Sequence, residues 1–248
     1  MRTFKLTIAY DGGAYAGWQC QVNQATLQGT LENTLAKITG EGVSIAASGR
    51  TDAGVHALGQ VVSFCSKTPL SAAVLQKALN ASLPRDIEVL EACEAPLKFH
   101  ARRDAKRKRY RYNLDDGPLP DIFSRNYAWR VPTRLDAAAM QRAARHLAGK
   151  HDFSSFETSG SPRQTSVRTI YEIAVERGRR AADNRVSIDV EADGFLYNMV
   201  RAIAGTLVQV GRGVQDQSWV ADVLAAQDRR AAGRTAPPHG LFLVRVDY

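Results

Sequence analysis

SGRTDAGVHALGQVVSF, residues 48–64, sets an aspartate between an arginine and a glycine-punctuated turn, directly ahead of a strand-like run. Asp52 follows Arg50 and Thr51, and Gly49, Gly54 and Gly59 break the stretch. An acid here is either a plain turn residue or a functional carboxylate, and the segment alone leaves both readings open. Its flanks decide the fold. Residues 60–66 read as a strand, and residues 43–47 as a short strand leading into the turn.

Working outward, Phe4, Leu6, Ile8 and Tyr10 alternate, so residues 3–10 form a strand that ends at the Asp11-Gly12-Gly13 turn. Leu27, Leu31, Leu35 and Ile38 follow helical spacing, and Gly40 stands where a C-terminal glycine belongs. Ser71 can cap a helix reaching Ser82, with Val74, Leu75, Ala78 and Leu79 inward. Pro84 breaks it, and residues 86–92 return as a strand. The second half repeats the rhythm. Residues 108–114, 167–176 and 185–192 are strands. Helices are expected from Leu135 to Leu147, from Phe195 to Val210 and from Trp219 to Ala226, and Leu241 to Val246 closes the chain as a strand. Strands mixed with helices in each half give an α+β class. The composition turns basic near residues 94–106. That places a boundary between an N-terminal subdomain, 1–103, carrying the Asp52 loop, and a C-terminal subdomain, 104–248. A site is expected in the cleft between two such halves.

The 248 residues suffice for a large core without staples, and 44% hydrophobic with 23% charged residues is an ordinary globular balance. No apolar run approaches the ~20 residues that span a bilayer, and MRTFKLTIAY lacks a signal-peptide core. Cys20, Cys65 and Cys93 are widely spaced, which argues against a disulfide framework or a zinc site. The expectation is a reduced, cytoplasmic protein. The net charge of +8 suits a polyanion. Residues 102–111, RRDAKRKRYR, hold seven Lys or Arg in ten and merge into an alternating strand. Such a run is either a solvated face or a nucleic-acid surface, and Arg102, Lys106, Arg107, Lys108, Arg109 and Arg111 are candidate nucleic-acid contacts.

GxxxxGK[ST], HExxH and GxSxG are all missing, and the five histidines lack ligand spacing. A reaction would run on acids, bases and the substrate, with no metal or cofactor expected. Asp52 is the leading candidate, because neighbouring arginines would favour its charged form. Arg50 is one such neighbour. Arg201, within the apolar run Met199-Val200-Arg201-Ala202-Ile203, either meets an acidic or phosphate partner or snorkels to water. Tyr110 and Tyr112 share a strand face between Arg109 and Arg111. They are either core residues or a stacking surface for bases.

GRTDAGVHALGQV closely resembles the catalytic motif of tRNA pseudouridine synthases of the TruA type. YDGGAYAGWQ is similar to that family's N-terminal signature, and FHAR with KRYRY to its central strand. HDFSSF at 151–156, FLYNMVR at 195–201 and GLFLVRVDY at 240–248 resemble its second-half loop, last helix and closing strand. The segments run in order along nearly the whole chain, and no position carrying the chemistry departs from the pattern. The resemblance implies two similar subdomains forming a mixed, mostly antiparallel central sheet, helices on one side, a basic cleft, and a last strand returning near the active site. It implies isomerisation of uridine to pseudouridine at positions 38, 39 and 40 of the tRNA anticodon stem-loop, by a homodimer without cofactor. It makes Asp52 the nucleophile, Arg50 a helper in exposing the base, Tyr110 the residue stacking on uracil, Arg201 the partner of the aspartate, and Leu241 an apolar neighbour of the base pocket. Neither DNA nor a membrane is an expected partner. A non-catalytic RNA-binding protein on the same fold, or a hydrolase releasing uracil, would be the rival readings.

Overall fold

A computed structural model describes residues 1–158, 165–178 and 184–248. The chain divides into two compact units, one of residues 1–106 with 242–248 and one of residues 107–241.

In the first unit, β1 (Arg2–Tyr10) pairs antiparallel with β3 (His56–Ser66) on one side and β4 (Ile87–Ala95) on the other. The two-residue β2 (Ala46–Ala47) pairs antiparallel with β3. The closing strand, Leu241–Asp247, runs parallel to the start of β3, with Phe242 opposite His56. Helix α1 (Leu27–Thr39) starts at Thr26, whose hydroxyl accepts from Gly29 N–H, and stops at left-handed Gly40. Helix α2 (Ala72–Ser82) starts at Ser71, which accepts from Val74 N–H. Phe4, Leu6, Ile8, Leu27, Leu31, Leu35, Leu75 and Leu79 are fully buried, each side chain contributing roughly 1.5–3 kcal/mol of hydrophobic stabilisation. Val74 was expected inward but is 48% exposed: Leu75 and Leu79 take the core-facing stripe, and Val74 lies beside it. Strand β3 begins at His56, four residues before the expected Gln60, because the Asp52 turn finishes at Val55 and the next residue already faces the closing strand.

The second unit is built on β5 (Arg107–Asp115), β7 (Gly149–Asp152), β8 (Val167–Arg177) and β9 (Arg185–Ala192), in the order β5-β9-β8-β7, all antiparallel. The short strands β6 (Trp129–Arg130), parallel to β5, and β7 (Gly149–Asp152) have no signal in the alternation pattern. Helix α3 spans Ala137–Ala144, capped by Asp136 and followed by a 3₁₀ turn, Arg145–Leu147. The helix expected from Leu135 is thus shorter, since Asp136 captures Ala139 N–H as its cap. Helix α4 spans Met199–Gly211 rather than starting at Phe195, because Asn198 adopts φ 62°. Helix α5 spans Trp219–Ala226, as its spacing suggests. The buried Asp116 carboxylate receives hydrogen bonds from Arg177 (2.6 and 2.9 Å), Arg134 (3.2 Å) and Leu135 N–H (2.8 Å). That set ties the end of β8 to the approach of α3. Each unit is therefore an α+β assembly with a mixed, mostly antiparallel sheet. Among the described residues, no helix is long and apolar enough to cross a membrane.

Candidate functional site

The Asp52 loop answers the question its sequence raises. Asp52 O accepts Val55 N–H at 3.1 Å, closing a four-residue turn whose third position, Gly54, has φ 76°. That left-handed conformation suits glycine and strains residues with a Cβ. The turn is braced from the unit's first strand and the loop after it. Trp18 N–H donates to Thr51 O (2.9 Å), and the Tyr10 and Thr51 hydroxyls share a buried hydrogen bond of 2.8 Å. Burial pushes the Tyr10 phenol up to about 12, so it stays protonated for that bond at neutral pH. On the other arm, Gln60 bonds Ser48 Oγ (2.5 Å) and Gly49 O (2.8 Å).

Beyond the turn, His56 is buried and its ring stacks on Phe242, with centroids 4.7 Å apart. Gly12 N–H donates to His56 Nδ1 at 3.1 Å, while Asp11 Oδ1 lies 3.0 Å from the same nitrogen. The second approach requires a proton on Nδ1, so the two bonds are alternatives set by which ring nitrogen carries the hydrogen. A Cβ on Gly12 would stand 2.0 Å from Val55 O. The stretches YDGGAYAGW and GRTDAG are thus two sides of one packed structure. Asp52 is half-buried and Arg50 is exposed at its outer edge. A carboxylate held by a turn fixed at both ends loses little freedom when it reacts, which is the preorganisation a nucleophile needs.

In the second unit, Tyr110 is 7% exposed on β5, with the Phe195 ring edge-on at 4.9 Å. Its neighbour on that face, Tyr112, is fully buried and donates to Pro237 O at 2.8 Å. Burial keeps the Tyr112 phenol well above its ordinary range, against the pull of Arg201 and Arg234. Of the two readings open from sequence, Tyr112 is a core tyrosine. Tyr110 is buried too. Arg201, in the first turn of α4, donates from Nε to Ala236 O and from Nη1 to Asn198 Oδ1, both at 2.7 Å. These acceptors are neutral, so they orient the guanidinium without cancelling its charge. Ala236 N–H in turn donates to Arg201 O (3.0 Å). The stretch 233–237 lies directly on α4: a Cβ on Gly205 would stand 1.7 Å from Arg234 O, and Gly233 N–H bonds Thr206 Oγ1 at 3.0 Å. Leu241 is buried at the start of the closing strand.

The basic run divides in two. Arg107 and Arg109 pair with Glu191 (3.4 and 3.1 Å), Arg109 also with Glu172, and Arg111 with Asp189 (3.1 Å). These acids stand on β8 and β9, so much of the strand's charge is balanced within the sheet. Arg102, Arg103 and Lys106, just before β5, are exposed and have no ion-pair partner among the described residues. Lys108, between Arg107 and Arg109, is half-buried. Among the described residues, no cluster of three or more His, Cys, Asp or Glu could hold a metal ion. Sequence reasoning missed the supports: Asn198, Thr158, Ala236 and Phe195. Asn198 and Phe195 lie inside FLYNMVR, which periodicity reads as continuous helix, so the sequence carried no signal for them.

Residues 6–104 and 143–248 match the family model described as tRNA pseudouridine synthase. The tRNA pseudouridine synthase A of a Thermoanaerobacter strain is 44% identical over 248 residues, covering 100% of both chains. That of Acetivibrio thermocellus is 45% identical over 248 residues, again covering 100% of each. That of Halalkalibacterium halodurans is 46% identical over 243 residues, 98% of this chain and 91% of its own. With the matched residues taking in the braced Asp52 turn, Tyr110's neighbour Phe195 and the Arg201 helix alike, the chain belongs to the tRNA pseudouridine synthase family.

Proposed function

We propose that this protein converts uridine to pseudouridine at positions 38, 39 and 40 of the tRNA anticodon stem-loop, with Asp52 as nucleophile and no cofactor. The observation that carries this reading is the Asp52 turn, a half-buried carboxylate held by backbone and side-chain bonds on both sides. A stem uridine must first leave its stack, at a cost of a few kcal/mol. Arg50, exposed beside Asp52, helps draw the base out. Tyr110 stacks on the uracil, Leu241 supplies apolar surface near it, and Arg201 provides positive charge for the Asp52 carboxylate. Asp52 then attacks C1′ of the ribose or C6 of the base. Attack at C1′ follows the logic of a retaining glycosidase, with a glycosyl intermediate. The C1′–N1 bond breaks, the held uracil turns, and C1′–C5 forms as the bond to Asp52 breaks and frees the carboxylate. The C5 proton leaves to a base or to solvent, and N1 takes up a proton. The net change exchanges a carbon–nitrogen bond for a carbon–carbon bond and needs no external energy source. The protein acts as a cytoplasmic homodimer, with Arg102 and Lys106 holding RNA phosphates.

The test is tritium release from tRNA labelled at C5 of uridine, by the wild type and by Asp52→Asn. Release by the wild type and none by a variant that still binds tRNA is the expected result. Binding without release by a folded wild type would leave an RNA-binding protein on a synthase fold. Free uracil among the products would mark a hydrolase.

A further inference from the structure

Asn198 departs from what its position calls for in three ways. It precedes α4 as the N-cap, where an asparagine side chain ordinarily accepts an amide proton from the first turn. Here it makes no such bond. Its backbone is left-handed, at φ 62° and ψ 7°, a region that costs most side chains about 1–2 kcal/mol and asparagine less. Its side chain is spent elsewhere: Oδ1 accepts from Arg201 Nη1 at 2.7 Å, and Nδ2 donates to Thr158 Oγ1 at 3.1 Å. A guanidinium only donates, so the amide orientation follows from the chemistry. A strained backbone and a forgone cap at one residue indicate that its placement serves something besides the helix.

What it serves is Arg201. An arginine side chain has four rotatable torsions, and Ala236 O holds the Nε edge of the guanidinium. Asn198 holds Nη1 and is itself tied to Thr158. Its acceptor is an amide, so this bond orients the guanidinium without itself compensating the charge. A carboxylate here would orient it equally and compensate it.

We propose that Asn198 is a positioning residue for the isomerisation, acting through Arg201. The proposal rests on the function assigned above. Asn198→Gly is the informative variant, since glycine accepts the left-handed backbone and removes only the side-chain bonds. The measurements are kcat and KM from tritium release, tRNA affinity by filter binding, and Tm. The expected result is a roughly tenfold fall in kcat, the size of losing one charge-assisted hydrogen bond. KM and tRNA affinity stay within about twofold, and Tm stays close to that of the wild type. Asn198→Asp is expected to fall further, because it neutralises Arg201 without disturbing shape. In an Arg201→Ala background, Asn198→Gly should change the residual rate by less than twofold, since its target is gone. A wild-type kcat for Asn198→Gly overturns the proposal. So does an undiminished effect in the Arg201→Ala background, which would make the role structural. A wild type that binds tRNA without releasing tritium refutes the isomerisation itself and is told apart from either outcome.

Discussion

Replacing Gly205 by alanine should disrupt the second unit from the inside. The added Cβ would stand 1.7 Å from Arg234 O, whereas ordinary Cβ contacts do not fall below 3.0 Å. The backbone of 233–236 must therefore retreat from α4 by about 1.3 Å, the difference between those two distances. That movement breaks Ala236 N–H to Arg201 O, Arg201 Nε to Ala236 O, Gly233 N–H to Thr206 Oγ1 and Tyr112 Oη to Pro237 O. At about 1 kcal/mol each, the loss is about 4 kcal/mol. In a chain of this length that lowers Tm by about 10 °C. Thermal unfolding followed by circular dichroism reads the stability, and tritium release below the transition reads the activity. Gly42→Ala is the control, because nothing lies within 4 Å of its Cβ. The expected outcome is a large Tm loss, with turnover reduced even where the variant stays folded. A Gly205→Ala protein melting within about 2 °C of the wild type would refute the argument that this contact holds Arg201 in place.

Burial opposes ionisation of Asp116, but the Arg177 hydrogen bond, Leu135 N–H and the charges of Arg177 and Arg134 outweigh it and hold the carboxyl below the usual carboxylate range. Its stabilisation is therefore present above the unfolded value near ~3.9 and lost as pH falls through the folded pKa. Asp116→Asn should cost about 3 kcal/mol at pH 7, and urea titrations should show the gap to the wild type closing below about pH 4. Alanine at Arg102, Arg103 or Lys106 should each lower the slope of log affinity for tRNA against log salt by about 0.7–0.9. Arg109→Gln should instead lower Tm, because it takes a cation from both Glu191 and Glu172. Equal salt slopes for both groups would refute the division of the basic run. Tyr110→Phe is expected to keep tRNA affinity and slow tritium release, and an unchanged rate would confine Tyr110 to stacking.

Alternation and helical spacing, read locally, placed β1, α1, α2 and α5 within a residue or two, because each of those elements carries its own period, and α1 and α2 carry their own caps. Thr26, Gly40 and Ser71 act where their types suggest. The failures are where distant backbone decides. Strand β3 starts early because the closing strand, nearly two hundred residues later in the chain, gives His56 a partner. Helix α4 starts late because Asn198 is bent into a left-handed turn that periodicity cannot register. The strands β6 and β7 are too short to show alternation. At the site, the Asp52 turn was legible from its glycine. The division of RRDAKRKRYR was not, since the balancing acids Glu172, Asp189 and Glu191 are 63 to 84 residues away in the chain. Charge counted along a sequence overstates charge available at a surface whenever a neighbouring strand supplies the opposite sign.

The first unit is assembled from both ends of the chain, residues 1–106 and 242–248. During synthesis the strand that completes its sheet emerges only after the whole of residues 107–241. At about 5–20 residues per second, that interval is on the order of 10 s. Throughout it, the start of β3, immediately after the Asp52 turn, has no closing strand to pair with. An unpaired strand edge is a template for other chains. The nascent protein thus has a window of vulnerability written into its order of synthesis, and the ring stacking of His56 on Phe242 is one of the last tertiary contacts available to it. A circular permutant that carries residues 242–248 ahead of Met1 would close that window early.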